Sequence, residues 1–353
     1  MHHVDDYLGK LIAAEGSDLH LVSGDPPRMR VNGDLQVIES TPLTRQALND
    51  FMAEILPPGA REIFERDDGV DFAYAVEGLA RFRVNLFRHV GGLAAVFRAI
   101  PSKSLTLSQL GMPPVINSLG MHRHGLILVT GKTGSGKSTT LAAIVNDINE
   151  RRRGHIITIE DPIEFVHERK RCLISQRQVG LHTKGFAAAL RSALREDPDV
   201  ILVGEMRDLE TISLAVTAAE TGILVLGTLH TNGAAATVDR IINAFPAMKQ
   251  AQIRTMLSTS LRGVVSQQLV RRQDGRGRLA AVEILVNTPA VANLLREGKT
   301  EQLVGTMQSG ALVGMQTMDG ALRRLLDAGR ISGREAYLQS IGKAEFEAVR
   351  EQD

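Results

Sequence analysis

Leu126-Ile127-Leu128-Val129-Thr130-Gly131-Lys132-Thr133-Gly134-Ser135-Gly136-Lys137-Ser138 is the stretch that decides the fold. Its first five residues carry no charge and read as a strand buried on both faces. The eight that follow satisfy G-x-x-x-x-G-K-[S/T]. The glycines let backbone N–H groups turn inward around an anion, at the start of a helix whose dipole favours negative charge. Lys137 then reaches the β- and γ-phosphates as a point charge, and Ser138 offers its hydroxyl to Mg²⁺. By composition, roughly one chain in a hundred of this length matches the pattern by chance. Context removes that reading, because a strand precedes the loop and a helix beginning at Thr139 follows it. ATP and Mg²⁺ are the expected ligands, with Gly131, Lys132, Thr133, Gly134, Ser135, Gly136, Lys137, Ser138 and Thr139 as the contact set.

Downstream, Ile156–Ile159, Val200–Val203 and Ile223–Leu229 are further near-continuous apolar runs, alternating with helical segments. That pattern predicts a parallel sheet with crossover helices. Asp208 is placed to cap a helix running to Thr221, where Gly222 stops it. A helix over Phe186–Arg195 must end before Pro198. Three strand ends carry chemistry. Glu205 closes Val200–Val203-Gly204 as a Walker B acid would, a candidate with Ser138 for holding the metal. Glu160 and Glu164 follow the run at Ile157 and are candidates for the carboxylate that orients the attacking water. His230 ends the run from Leu224, where a polar group faces the ligand crevice of an open α/β sheet. Arg191 and Arg195 share a helix face, and Arg83 and Arg98 lie on neighbouring strands. From spacing alone these four arginines read as solvated.

Upstream, residues 1–100 read as a smaller mixed unit: a helix over Val4–Ala14, short strands at Asp18–Ser23, Arg28–Val31 and Leu35–Ile38, and an Asn32-Gly33 hairpin turn. A helix after Thr44 is expected to end at Pro57-Pro58-Gly59. Strands at Val70–Val76, Ala80–Phe87 and Leu93–Ile100 complete the unit. Residues 101–114, rich in Pro, Ser and Thr, read as a linker; 115–288 form the ATPase domain, and 289–353 a run of short helices broken by glycines.

The whole chain has 353 residues, 43% of them hydrophobic and 23% charged, with a net charge of +1. That is globular composition without the basic field that nucleic acid would select. Cys172 is the single cysteine, which excludes an intramolecular disulfide and a cysteine zinc site. No segment reads as a membrane span, so a cytoplasmic location is expected.

Together the four motifs resemble the secretion-type ATPases of type II secretion and type IV pili, in particular the pilus-retraction branch. Gly16-Ser17-Asp18-Leu19-His20, Arg81-Phe82-Arg83-Val84-Asn85, the loop at Gly131, the acidic stretch Glu160–Phe165, Gly204-Glu205-Met206-Arg207-Asp208 and Gly227–Asn232 carry the likeness. It implies a PAS-like first domain, a RecA-like ATPase domain and a homo-hexameric ring. It also implies that Arg83, Arg98, Arg191 and Arg195 sense phosphate, some across a subunit boundary. Glu164 would be the catalytic glutamate, with Glu160 as the competing assignment and Glu205 at the Walker B position.

The implied function is a Mg-ATP motor for pilus retraction, acting on an inner-membrane platform protein at the cytoplasmic face of that membrane. The alternatives are an accessory pilus ATPase working beside a paralogue, a nonhydrolysing regulator of the same machine, or a RecA-like nucleic-acid translocase. Two departures stand out. Lys132 sits where the family usually has proline. The stretch Ala290-Val291-Ala292-Asn293-Leu294-Leu295-Arg296-Glu297 lacks the early arginine of retraction motors.

Overall fold

Val4, Leu8 and Leu11 fall on one face of α1 (His3–Ala13), and that face is buried. It packs on a sheet built from β1 (Asp18–Val22), β2 (Arg28–Val31), β3 (Asp34–Val37) and, after α2 (Arg45–Ile55) and α3 (Pro58–Asp67), from β4 (Gly69–Val76), β5 (Ala80–His89) and β6 (Gly92–Ile100). The strand order is β3-β2-β1-β6-β5-β4, antiparallel throughout. Leu19, Phe72, Phe82 and Phe97 project to the helical side and make the core with Leu48, Met52 and Phe64. The opposite face is polar, as alternation along antiparallel strands dictates.

The computed structural model describes residues 2–31, 33–100 and 105–351. Asn32 of the expected hairpin turn and residues 101–104 of the expected linker lie outside them. The hairpin's flanking residues are described: Val31 pairs with Asp34 and Gly33 takes φ +98°. The helix after Thr44 ends as expected, at Ile55 just before Pro57-Pro58, and a second helix not read from the sequence follows at once, with Pro58 in the first turn of α3, where its missing N–H costs nothing.

The second body contains α4 (Val115–Gly120), β7 (Gly125–Thr130), α5 (Lys137–Arg151), β8 (His155–Glu160), β9 (Leu173–Gln178), α6 (Phe186–Ala193), β10 (Val200–Val203), α7 (Leu209–Glu220), β11 (Leu224–Leu229), α8 (Ala234–Asn243), α9 (Ala247–Ser260), β12 (Leu261–Arg271) and β13 (Arg278–Val286). The seven strands run in the order β13-β12-β7-β11-β10-β8-β9. The neighbours from β12 to β8 are parallel, and β13 is antiparallel to β12. β7, β10 and β11 are buried at every position, which is why they lack polar alternation. The tail folds as α10 (Pro289–Glu297), α11 (Leu303–Ser309), α12 (Met318–Asp327) and α13 (Gly333–Gln339). Met318, Leu322, Ile331 and Phe346 pack with Val270 and Ala281 of the β12–β13 hairpin.

By compactness the chain divides into two units. The first takes 1–103 together with 161–166 and 177–184, and the second takes the remainder. Two segments embedded in the ATPase sequence thus belong to the first unit. Leu107 and Met112, within the expected linker, are buried in the second unit's core. No helix among the described residues is long and apolar enough to cross a membrane.

Candidate active site

Between β7 and α5 the chain makes the loop that the sequence announces. Gly131, Gly134 and Gly136 have φ of +138°, +77° and +87°, a region that side-chain-bearing residues rarely enter. A Cβ on Gly131 would overlap the Gln267 carbonyl, so space as well as conformation demands glycine there. Gly136 precedes α5 without a side-chain cap, which leaves the first-turn N–H groups available to an anion. Lys137 is buried, and its Nζ donates to the carbonyls of Gly131 (2.8 Å) and Lys132 (3.0 Å). Ser135 Oγ is buried without a hydrogen-bond partner. Ser138 and Thr139 follow in the first turn, with Ser138 exposed.

Sequence reasoning missed the residue that braces this loop. Gln267, on β12, donates from Nε2 to the Ser135 carbonyl (2.7 Å) and accepts from Thr140 Oγ1 (2.7 Å). All three residues are buried. One amide therefore spans the loop and the helix it opens into. A glutamine just after the apolar run Val264-Val265 was the available signal, since a buried amide needs partners.

Three strand ends meet at the carboxyl edge of the sheet. β8 and β10 run in register, Ile159 beside Val203, and Gly204 N–H donates to the Ile159 carbonyl (2.7 Å). Glu160 therefore lies beside Gly204, one residue short of Glu205. Glu160 Oε1 accepts from Thr158 Oγ1 (2.6 Å) and Gln176 Nε2 (3.2 Å). Glu205 is gripped by both nitrogens of an Arg207 fork at 2.6 Å, and His230 Nε2 lies 3.1 Å from its Oε1. Burial pushes the Glu205 carboxyl up, but hydrogen bonding and charge from Arg207, then His230, hold it below the usual glutamate range. Arg207 is a second residue that the sequence did not single out.

The remaining expected residues lie elsewhere. Glu164 belongs to the first unit, where it lines a cleft of about 370 Å³ with Val76, Leu79, Arg81, Ile100 and Val166. Arg83 and Arg98 are direct cross-strand neighbours on β5 and β6. Like charges so placed repel, and each is balanced separately: Arg83 lies 3.4 Å from Asp71 and Arg98 2.8 Å from the buried Asp18. Arg191 pairs with Glu210 at the start of α7. α6 ends at Ala193, so Arg195 lies in the following turn rather than on the helix face, its Nη1 donating to the Arg191 carbonyl (3.1 Å). The expected shared helix face is thus cut short by the approach of Pro198.

The residues present fit a magnesium nucleotide: a cradle that excludes Cβ atoms, a buried ammonium, uncapped helix N–H groups, a buried hydroxyl without a partner, and acids at the adjacent strand ends. Residues 1–319 match the family described as Type II/IV secretion system protein. The chain belongs to that family. Within the secretion-system family it is 53% identical, over 91% of its length and 93% of the relative's, to the type IV pilus retraction ATPase PilT of Pseudomonas aeruginosa. It is 40% identical to the type IV pilus ATPase PilU of the same organism, over 92% of this chain and 85% of that one. A crystal structure of the pilus retraction motor PilT with bound ADP superposes with a TM-score of 0.91 at 42% identity, covering 99% of each chain. The fold is accordingly that of a RecA-like P-loop ATPase with a largely parallel sheet and a smaller N-terminal α+β body.

Proposed function

We propose that this chain is a hexameric motor that hydrolyses Mg-ATP to retract type IV pili. The observation that carries the reading is the intact glycine cradle, with Lys137 seated in it, in a chain alike to PilT from end to end. Bound magnesium neutralises phosphate charge, and Ser138 and Glu205 are the residues that would hold it or its waters. Lys137 exchanges its carbonyl partners for phosphate oxygens. Glu164 orients the attacking water, with Glu160 as the alternative base. His230 and the arginines Arg83, Arg98, Arg191 and Arg195 respond to the transferred group, some of the arginines from the neighbouring subunit. ATP at such a seam clamps one subunit's N-terminal body onto the next, and hydrolysis releases it. The force passes to an inner-membrane platform protein of the pilus machine, which holds the ring at the cytoplasmic face.

A second reading, an accessory PilU-like ATPase, is favoured by the missing early arginine in α10. Purified protein and a strain lacking the chain separate the possibilities. The motor reading expects ATP turnover that Lys137→Ala abolishes, and twitching restored by the wild type but not by that variant. Glu164→Ala is expected to keep ATP binding and lose hydrolysis; ordinary hydrolysis in it moves the base to Glu160. Turnover without restored retraction supports the accessory reading, and DNA-stimulated, salt-sensitive turnover supports a nucleic-acid translocase.

A further inference from the structure

A row of polar side chains crosses the otherwise apolar second sheet. Glu283 on β13 pairs with Ser266 on β12, which pairs with Thr130 on β7, and all three are buried. Direct cross-strand partners share a face, so the three side chains stand abreast. The first turn of α8, immediately after the His230 loop, rests on them. Gly233 N–H donates to Ser266 Oγ (2.8 Å), Ala234 N–H donates to Glu283 Oε1 (2.7 Å), and Thr237 Oγ1 bonds Thr130 Oγ1 (3.3 Å). Thr237 also bonds Thr231 (2.7 Å), the residue next to His230. The other oxygen of Glu283 accepts from the Met318 N–H that opens α12 (3.3 Å). One buried carboxylate thus joins two helix N-termini, whose dipoles favour it. It also borders a cavity of about 340 Å³ whose other lining includes Lys132–Ser135 of the phosphate loop.

We propose that Glu283 is a positioning residue for the His230 loop, coupling its placement to that of the C-terminal helix α12. The inference rests on the reading that His230 acts at the transferred phosphate. The phosphate loop is braced by Gln267 and Lys137 by the Gly131 and Lys132 carbonyls, so Glu283 bears on turnover more than on ADP binding. The near-isosteric Glu283→Gln turns an amide NH2 toward one of the two N–H groups and leaves that donor orphaned.

The experiment compares wild type, Glu283→Gln, His230→Ala and the double variant in steady-state ATP turnover and in binding of a fluorescent ADP. Glu283→Gln is expected to lower kcat about tenfold while the ADP Kd stays within about twofold, the signature of an interaction felt after binding. The double variant is expected to be no slower than His230→Ala, because the two act through one element. Multiplicative losses, or ADP affinity falling in step with kcat, would overturn the proposal. If His230→Ala turns over normally, the His230 reading fails and takes the proposal with it. If His230→Ala is impaired and Glu283→Gln is not, the proposal alone fails. Should Glu283→Gln not fold, Ser266→Ala, which frees the adjoining Gly233 N–H, is read by the same two criteria.

Discussion

Replacing Gln267 with alanine tests whether the phosphate loop is held from behind by a single amide. The substitution strips the Ser135 carbonyl of its donor and the Thr140 hydroxyl of its acceptor, both buried. An orphaned buried polar group costs about 1–3 kcal/mol, so the pair costs about 2–6 kcal/mol. For a body of this size, where each kcal/mol moves Tm by about 2–4 °C, the midpoint should fall by about 4–24 °C. Because the loop is then free to move, ADP binding should weaken by about tenfold, equivalent to about 1.4 kcal/mol. Calorimetry without nucleotide, paired with fluorescent-ADP titration, reads both quantities. Gln267→Glu separates the two bonds: it keeps an acceptor for Thr140, loses the donor to Ser135 and sets a negative charge near the phosphates. Its loss of ADP affinity should be larger than that of Gln267→Ala. Gln268→Ala is the control, since that neighbouring amide bonds the Gln339 carbonyl (3.2 Å) instead of the loop. A Gln267→Ala protein that melts within about 1 °C of wild type and binds ADP equally well would refute the reasoning.

Other outcomes follow from the same geometry. Gly131→Ala combines a forbidden φ with overlap on the Gln267 carbonyl, and should abolish ADP binding outright in the same titration. Arg207→Ala removes the main partner that holds Glu205 below the ordinary carboxylate range. The stabilisation from that depression is present above the ordinary glutamate range and lost as pH falls through the folded value. The variant should therefore lose about 1 kcal/mol or less at pH 7, because Arg207 is largely exposed, and should converge with wild type in acid. Burial lowers the His167 imidazole from 6.5 to about 4, so the folded state resists protonation. Stability should fall by up to about 3 kcal/mol as pH drops through that window, and His167→Gln should flatten the denaturation profile there.

The second sheet was legible because strands buried on both faces write themselves as apolar runs, and the cradle because glycine spacing there is geometric. The β12–β13 hairpin escaped notice although Asp274-Gly275 marks a turn between two apolar runs; Gln267 and Glu283 interrupt the pattern with buried polar residues. β9 was missed because its polar alternation resembles a loop, with Ile174 and Gln178 its buried positions. The motif residues at Glu160, Glu205 and His230 were visible as strand ends, and parallel register brings those ends to one edge of the sheet, with Glu205 and His230 in contact. Arg207 was not, because nothing in its spacing distinguishes a guanidinium aimed at a carboxylate from one in water. The Arg83–Arg98 pairing needed the strand register, which the sequence only implied.

Lys137 finds carbonyl partners within its own loop. The ammonium is therefore paired before any anion arrives, and the loop keeps its shape without one. On the proposed reading, an arriving nucleotide would meet a socket already formed.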